Sequence, residues 1–177
     1  MEIILVLHNI RSIYNVGAIL RTAEGFGVAR VVCSGYTPWF RKPGTLPHLS
    51  AKLEHQISKT ALGAEKLVEV SFSEDITSEM RRLKGEGWQI LGLENNLSAP
   101  TILLNNREAL LAAISERIVL VLGEEVSGIP EELQKEIDQF IEIPMKGQKE
   151  SFNVSIATGV ALFALTTLKN DARSVEQ

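Results

Sequence analysis

The chain has 177 residues, 45% of them hydrophobic and 23% charged, which is typical of a globular domain with a proper core. No run reaches the roughly 18 uncharged apolar residues of a membrane span, and MEIILVL lacks the basic flank of a signal peptide. The one cysteine, Cys33, excludes an internal disulfide and indicates a reducing cytoplasm. Because it ends the apolar run ARVVC, we expect Cys33 to be a small core residue.

The charge is unevenly distributed along the chain. The formal net charge of −4 argues against a nucleic-acid partner. However, residues 1–60 carry seven Lys/Arg against three Asp/Glu, whereas residues 61–177 carry eleven against nineteen. A polyanion is attracted by local potential, not by total charge. Two interpretations therefore stay open: an RNA partner, or an ordinary scatter of surface charges.

Short apolar runs of strand length alternate with segments of helical periodicity. The predicted strands are 2–7, 29–33, 68–72, 88–93, 117–123 and 140–143. The predicted helices are 15–27, 73–84, 108–114, 130–135 and 153–168. This alternation predicts an α/β fold with a mostly parallel sheet flanked by helices, in a single domain over residues 1–177. Ligands of such sheets bind beyond the carboxyl ends of the strands.

Residues 36–59 are the exception and are predicted to form a long irregular segment. Aromatic and basic side chains interleave there, as suits single-stranded RNA, where bases stack and phosphates pair with cations. The alternative is a surface loop anchored by its aromatic rings. With Arg11 from the preceding loop, the candidate RNA contacts are Trp39, Arg41, Lys42 and Lys52.

The first polar motif, NIRSIYNVGAILRTA, follows the first strand and opens the first helix. We expect Asn15 and Gly17 at the helix start, where free N–H groups favour an anion or a polar ligand. Asn9, Arg11 and Arg21 complete a polar set in apolar surroundings. The alternative is an Asn cap with a solvated arginine.

The second motif, LVLGEEVSGIP, stops an apolar strand at Gly123 and turns at Gly128. Between them lie Glu124 and Glu125. A metal site is rejected, because no His or Asp at ligand spacing accompanies the pair. We expect one glutamate to orient an arginine or a ribose hydroxyl and the other to be solvated.

The third motif, IPMKGQKESFNVS, breaks from a strand into a polar loop and then enters the closing helix. Ser151 and Asn153 flank the helix start, and Phe152 is expected to form an apolar wall. A plain N-cap explains one of the two polar residues but not the whole loop.

In this order the three motifs resemble those of the SpoU–TrmH family of ribose methyltransferases, within the SPOUT superfamily. The first family motif reads Asn-(x)n-Asn-x-Gly-x-x-x-Arg-Thr-Ala, the second Gly-x-Glu-x-x-Gly, and the third Ile-Pro-Met-x-Gly-x-x-x-Ser-Leu-Asn-Val-Ser. The resemblance extends from Asn9 to the closing helix. Phe152 departs from the family's Leu but remains apolar, which affects only the expected shape of the pocket.

The resemblance implies a C-terminal trefoil knot that binds S-adenosylmethionine, and methyl transfer to a ribose 2′-hydroxyl in tRNA or rRNA. It also implies a homodimer that joins through the knot region and completes its sites across the interface. By matching positions, the implied cofactor contacts are Leu93, Glu94, Gly123, Ile143, Met145 and Phe152. The implied catalytic residues are Arg21, Asn15, Glu125, Ser151 and Asn153. No metal is implied.

Three alternatives stay open. A knotted RNA base methyltransferase could share the fold, and a non-catalytic protein could bind S-adenosylmethionine or RNA; the Asn/Arg first motif argues against both. A nicotinamide-dependent enzyme needs G-x-G-x-x-G after the first strand, and NVGAIL lacks that spacing. The sequence also looks like a catalytic domain without a separate RNA-binding domain, so residues 36–59 would supply more of the RNA contact.

Overall fold

The computed structural model describes residues 1–95 and 97–168, and it confirms the predicted α/β fold. The described strands are β1 Glu2–His8, β2 Arg30–Ser34, β3 Val70–Ser73, β4 Gln89–Leu93, β5 Thr101–Leu103, β6 Arg117–Leu122 and β7 Gln139–Glu142. The described helices are α1 Ile13–Gly25, α2 Pro47–Ala61, α3 Ile76–Gly85, α4 Arg107–Ala113, α5 Glu131–Gln134 and α6 Val154–Thr167, with a short 3₁₀ turn at Ala64–Lys66.

The strands form one sheet in the order β3-β2-β1-β6-β4-β7-β5, and every neighbouring pair is parallel. The centre pairs β1 with β6, where Leu5 lies opposite Leu120. β7 enters the sheet between β4 and β5, although both precede it in the chain. The trefoil knot itself stays a prediction.

Alternate residues of the strands face two separate cores. In β1, Leu5 and Leu7 belong to one core, and Ile4 and Val6 belong to the other. Helices α1, α2, α4 and α6 cover the first face, and α3 and α5 cover the second. Burial on both faces explains why the central strands read as continuous apolar runs. Among the described helices, none combines the length and hydropathy needed to cross a lipid bilayer.

Side-chain caps begin four of the helices. Ser12, Asp75, Asn106 and Asn153 each accept a hydrogen bond from a backbone N–H of the first turn. Since Ser12 caps α1, the prediction that Gly17 lies at the helix start is wrong.

The prediction of an irregular segment over residues 36–59 is wrong beyond its first part. From Pro47 the chain forms α2, with Pro in the first turn, where its missing N–H costs nothing. Leu53, Ile57 and Ala61 recur at four-residue spacing and pack on the first core. Polar residues occupy the rest of the helix surface and obscured that period.

The strand β5 was not predicted. Its three residues pair with β7 at the edge of the sheet, and no local sequence pattern indicates this pairing. The core position of Cys33 is confirmed, because its side chain is fully buried. Burial raises the pKa of the Cys33 thiol to about 12, which leaves the thiol uncharged and unreactive at neutral pH.

Candidate active site

Loops leave the carboxyl ends of β1, β4, β6 and β7 at one edge of the sheet. Those after β4, β6 and β7 enclose a cavity of about 330 Å³. This is the edge at which open parallel sheets bind ligands.

The segment GEEVSG closes into a tight turn on one side of the cavity. Backbone groups of Glu124 and Gly128 bond each other at 3.0 and 2.9 Å. Gly128 has a φ of +67°, which other residues rarely adopt. A Cβ at Gly123 would meet backbone atoms of Gly128 and Ile129 at 2.3 to 2.4 Å. The two backbone segments therefore touch directly and present bare peptide groups to the cavity.

Two residues after β4 hold the neighbouring loops in place. The Glu94 carboxylate accepts hydrogen bonds from the backbone N–H of Ile129 at 2.9 Å and of Asn95 at 3.2 Å. The Asn95 amide donates to the carbonyls of Ile143 at 3.1 Å and Glu150 at 3.2 Å. Asn95 thereby joins both ends of the polar loop that follows β7.

Asn15 connects the first motif to the other two through its side-chain amide. Its Nδ2 donates to Oε1 of Glu125 at 3.0 Å, and its Oδ1 accepts from Nδ2 of Asn153 at 3.2 Å. Asn153 also caps α6, because its Oδ1 accepts from the backbone N–H of Ser155 at 2.9 Å. Asn153 therefore caps α6 and also links the third motif to the first. Three motifs that lie far apart in the sequence meet at this point.

Glu125 is held by the first motif, not by an arginine side chain. Its Oε2 accepts from the backbone N–H of Arg11 at 3.2 Å. Burial, the largest single influence, raises the pKa of Glu125, but hydrogen bonds from backbone N–H groups and from Asn15 together outweigh it and lower the pKa below 4.5. The carboxylate is therefore charged at neutral pH and orients Asn15.

Glu124, the glutamate expected to be solvated if Glu125 is the orienting one, is also engaged. It accepts from the Ser127 hydroxyl and pairs with Nη2 of Arg11 at 2.6 Å. The Ser127 hydroxyl is the first cause, and the Tyr36 hydroxyl the second, of a lowered pKa at Glu124. The prediction that one glutamate contacts an arginine is confirmed at Glu124. Glu125 is exposed, as predicted for the other, but it also accepts hydrogen bonds from the loop after β1 and from Asn15.

The cavity brings together most of the implied cofactor contacts. Those among its lining residues are Leu93, Glu94, Gly123, Ile143 and Phe152. Met145 lies on the loop after β7 but does not line the cavity. Of the implied catalytic residues, Glu125 and Ser151 line the cavity. Asn15 adjoins it through its hydrogen bond to Glu125, and Asn153 through its hydrogen bond to Asn15.

Arg21 is not brought to the cavity by its own chain. Its side chain is exposed on α1, and it makes no hydrogen bond or ion pair with any residue that the structure describes. It lies six residues after Asn15, so the two side chains leave the helix about 9 Å apart and in directions about 120° apart. Asn15 and Arg21 therefore leave α1 on different faces, and Arg21 does not line the cavity.

The implied RNA contacts differ in their exposure. Trp39 is only 2% exposed and stacks on Phe40 with ring centroids 4.2 Å apart, so the prediction that its ring stacks on an RNA base is wrong. The aromatic rings anchor this segment to the core, which was the alternative interpretation. The guanidinium of Arg41 lies over the Phe40 ring, and the ammonium of Lys42 lies over the Phe72 ring.

Carboxylates dominate the charge of the cavity. Glu94, Glu124, Glu125 and Glu150 line it, whereas no lysine or arginine does among the described residues. Among residues 1–95 and 97–168, no group of three or more His, Cys, Asp or Glu side chains is arranged so that it could hold a metal ion. Such a cavity suits a cation with an apolar body better than a phosphate-bearing ligand.

Sequence reasoning missed Asn95 and the bracing role of Glu94. A signal was available for both, because they follow a strand at its carboxyl end, as the predicted polar residues do. It missed as well that Gly17 is a packing residue. A Cβ there would meet Oγ1 of Thr60 at 2.2 Å and the Ile57 carbonyl at 2.5 Å, so α1 and α2 touch through their backbones.

Known proteins resemble this chain over nearly its whole length. A 23S rRNA (guanosine-2′-O-)-methyltransferase RlmB of Pectobacterium atrosepticum is 31% identical over 163 residues, which are 92% of this chain and 59% of that protein. The corresponding protein of Xanthomonas axonopodis is 30% identical over 161 residues, or 91% and 57%. The chain thus spans less than two thirds of the length of the curated relatives it matches.

The fold recurs in a solved structure, and a family model matches the sequence. The TrmH/SpoU tRNA modifying enzyme of A. aeolicus superposes with a TM-score of 0.75 at 24% identity, over 99% of this chain and 79% of that one. The model of the SpoU rRNA Methylase family matches residues 2–163, which include all three motifs. The chain therefore belongs to the SpoU rRNA methylase family.

Proposed function

We propose that this protein transfers a methyl group from S-adenosylmethionine to a ribose 2′-hydroxyl of tRNA or rRNA. The observation that carries the proposal is the Asn15 amide, which bonds to both Glu125 and Asn153 and so joins all three motifs beside one cavity. Two relatives bear the name of a 23S rRNA guanosine-2′-O-methyltransferase, and a structural neighbour that of a tRNA modifying enzyme, which supports RNA as the substrate.

The cavity fits S-adenosylmethionine. When bound, this cofactor supplies an electrophilic methyl group on a positively charged sulfonium. Leu93, Ile143 and Phe152 offer apolar walls, and Gly123, packed directly against the backbone of Gly128, also lines the cavity. The carboxylates around the cavity favour a cation. We propose that these residues hold the cofactor together with Glu94 and Met145.

The 2′-hydroxyl is a weak nucleophile, so the protein must position it and stabilise the negative charge that develops on its oxygen. A guanidinium stays protonated in proteins, so we assign to Arg21 an electrostatic role, in which it binds a phosphate and stabilises the alkoxide. The new bond between the ribose oxygen and the methyl carbon would form as the methyl–sulfur bond breaks, with S-adenosylhomocysteine as the leaving group, and the hydroxyl proton would go to solvent. Asn15, Glu125, Ser151 and Asn153 orient the ribose and the groups around it.

The isolated position of Arg21 supports a site completed by a second copy of the chain. On α6, the side chains of Ile156, Val160 and Phe163 are 56%, 39% and 61% exposed, and their spacing places them on one face. A homodimer that covers this face would remove apolar surface from water. Light scattering at micromolar concentration tests it, and a monomer would contradict the dimer.

The proposal includes one methyltransferase domain in the cytoplasm. All strands of the described residues join one sheet, which supports a single domain. A single, buried cysteine is compatible with a reducing compartment.

Incubation with S-adenosylmethionine and unmodified total RNA tests the reaction. After digestion, mass spectrometry should find a 2′-O-methylnucleoside, and its base and parent RNA name the substrate. Arg21→Ala should lower turnover by about 100-fold or more, since a lost stabilising donor typically costs that much. Glu24→Ala, an exposed change on the same helix, is the control and should have no effect.

The outcomes separate the alternatives. A methylated base with an unmodified ribose would contradict the assigned reaction and leave the fold intact. If Arg21→Ala keeps near-normal turnover, the role of Arg21 is wrong. If calorimetry detects cofactor binding but no RNA pool is methylated, the protein is a non-catalytic binder under these conditions.

A further inference from the structure

The outward face of α2 carries a row of basic side chains. His48, Lys52, His55 and Lys59 recur at spacings of four, three and four residues, and all are exposed. At 3.6 residues per turn they lie within a sector of about 60° and extend along about 16 Å of the helix. We call these four residues the basic row.

The opposite side of α2 is committed to the core. Ile57 and Ala61 are buried and Leu53 packs against the same cluster, on the side facing α1. The one acidic residue of the helix, Glu54, is half-buried at the flank and outside the sector of the basic row. The amphipathic pattern of α2 is therefore apolar towards the protein and basic towards solvent.

The side chains of the basic row are not paired within the described part of the protein. None of its four side chains forms a hydrogen bond or ion pair with residues 1–95 or 97–168. Six other basic side chains of the described residues pair with carboxylates, namely Arg11, Arg30, Arg81, Arg82, Lys84 and Arg117. The two lysines of the row place unpaired positive charge on one surface of a chain of negative net charge, and the two histidines add polar groups between them.

One end of the basic row lies next to the candidate active site. The Thr60 hydroxyl donates to the Tyr14 carbonyl at 3.0 Å, so the end of α2 that carries Lys59 contacts the first turn of α1. Tyr14 precedes Asn15, the residue that joins the three motifs, and its ring is 52% exposed. A strand that leaves the site over Tyr14 would therefore reach Lys59 first and His48 last.

We propose that the basic row binds the phosphodiester backbone of the RNA next to the target nucleotide. This inference rests on the proposed function, since it assigns the RNA a path away from that site. Aligned, unpaired cations suit a polyanion whose phosphates repeat along its length. A membrane surface fits less well, because a helix that lies on a bilayer buries its apolar face in lipid, and that face of α2 is already in the core.

The salt dependence of RNA binding tests the proposal. The probe is a fluorescein-labelled RNA hairpin, followed by fluorescence anisotropy over a potassium chloride series. Lys52→Ala/Lys59→Ala removes two proposed lysine–phosphate contacts. The slope of log K for RNA association against the logarithm of salt concentration should therefore decrease in magnitude by about 1.4, and RNA affinity at about 0.1 M salt should fall by about 25-fold. Alanine is a better helix former than lysine, so α2 should persist, as circular dichroism can check.

A matched control removes the same charge from the opposite layer. Lys84→Ala/Lys135→Ala deletes two lysines from α3 and the end of α5, which cover the other face of the sheet. RNA affinity should then change by less than about twofold, because these lysines lie outside the proposed path. Lys52→Arg/Lys59→Arg keeps both charges and should retain the slope of the unmodified protein.

Three results would overturn the proposal: an unchanged slope in the α2 variant, an equal loss in the control variant, or a loss of binding to phosphatidylserine vesicles without a loss for RNA. The reaction is tested separately by calorimetry with S-adenosylmethionine and by the nucleoside assay. If the slope falls as expected but no methylated nucleoside forms, the docking surface stands and the proposed reaction fails. If methylation proceeds but the α2 variant changes neither the slope nor the KM for RNA, the proposed reaction stands and the docking surface fails.

Discussion

The carboxyl and amino ends of the sheet hold cavities of similar volume, about 330 and 310 Å³, and charged side chains line both. At the amino end these side chains pair with one another on the surface. Arg82 bonds to Glu79 and Glu86 along α3, and Arg117 lies 4.3 Å from the ring centroid of Trp88. Arg117 also pairs with Glu2, and Arg30 pairs with Glu79, so most charges there have a near neighbour of opposite sign.

At the carboxyl end carboxylates and apolar side chains line the cavity, and backbone and amide groups hold its loops together. Two peptide segments touch at Gly123, and Asn95 and Asn15 join loops from different parts of the chain. Cavity volume and charge alone therefore do not identify a functional site. What distinguishes the carboxyl end is that distant segments converge there and leave peptide groups facing the cavity.

The largest expected effect is that of Gly123→Ala. The new Cβ would meet the backbone of Gly128 and Ile129, which cannot yield as a flexible side chain could. We expect a loss of about 1 to 3 kcal/mol in the free energy of unfolding and at least about tenfold weaker binding of S-adenosylhomocysteine. Denaturant unfolding and calorimetry measure the two quantities.

Gly85→Ala is the matched change at the other end of the sheet. Its Cβ would meet nothing within 4 Å at the end of α3. The free energy of unfolding should stay level or rise by up to about 1 kcal/mol, and cofactor binding should be unaffected. Equal effects of the two alanines on cofactor binding would contradict the distinction between the two ends.

Asn95→Ala and Gln89→Ala compare the two ends of one strand, β4. The Asn95 amide bonds to Ile143 and Glu150, and the Gln89 amide bonds to Ala113 and Ser115. Each loss should lower the free energy of unfolding by about 1 to 3 kcal/mol, because partners lose hydrogen bonds. Cofactor affinity should fall about tenfold for Asn95→Ala alone. A comparable fall for Gln89→Ala would show that β4 transmits general strain.

Arg117→Gln tests whether the amino end is only structural. The change removes the contact with Trp88 and the hydrogen bond to the Glu86 carbonyl at 2.8 Å. We expect the free energy of unfolding to fall by about 1 kcal/mol, the usual worth of such contacts at half-exposed sites. Turnover and cofactor affinity should equal those of the unmodified protein, and a clear drop in either would assign a function to this end.

The smallest expected effect is the response to acid. The folded-state pKa of Glu125 is lowered, so its stabilising contribution is present above about pH 4.5 and is lost as the pH falls through the folded value. The pKa of Glu79, at the amino end, is lowered mainly by its hydrogen bond to Arg82. Glu125→Gln should flatten the pH dependence of S-adenosylhomocysteine affinity below about pH 5. Glu79→Gln should flatten only the pH dependence of the free energy of unfolding. Each effect should be less than about 1 kcal/mol.

Much of the fold could be predicted because the signals were local. β1 and β6 are long apolar runs, and α1 and α3 have clear periods with a polar residue at the start. α6 is a long apolar segment that begins at the capping residue Asn153. β5 and α2 could not be predicted in this way. β5 exists only through its pairing with β7, and the core-facing residues of α2 are hidden among polar ones.

The sequence alone determined which chemical groups this protein has at its strand ends, because the three motifs and their order are properties of the chain. Only the tertiary structure decided how those groups are used. It placed Asn15 between Glu125 and Asn153, left Arg21 exposed outside the lining of the cavity, and joined both ends of a loop through Asn95. The physical reason is that the direction of a side chain follows from the rotation of its helix or strand, and packing against distant residues sets that rotation.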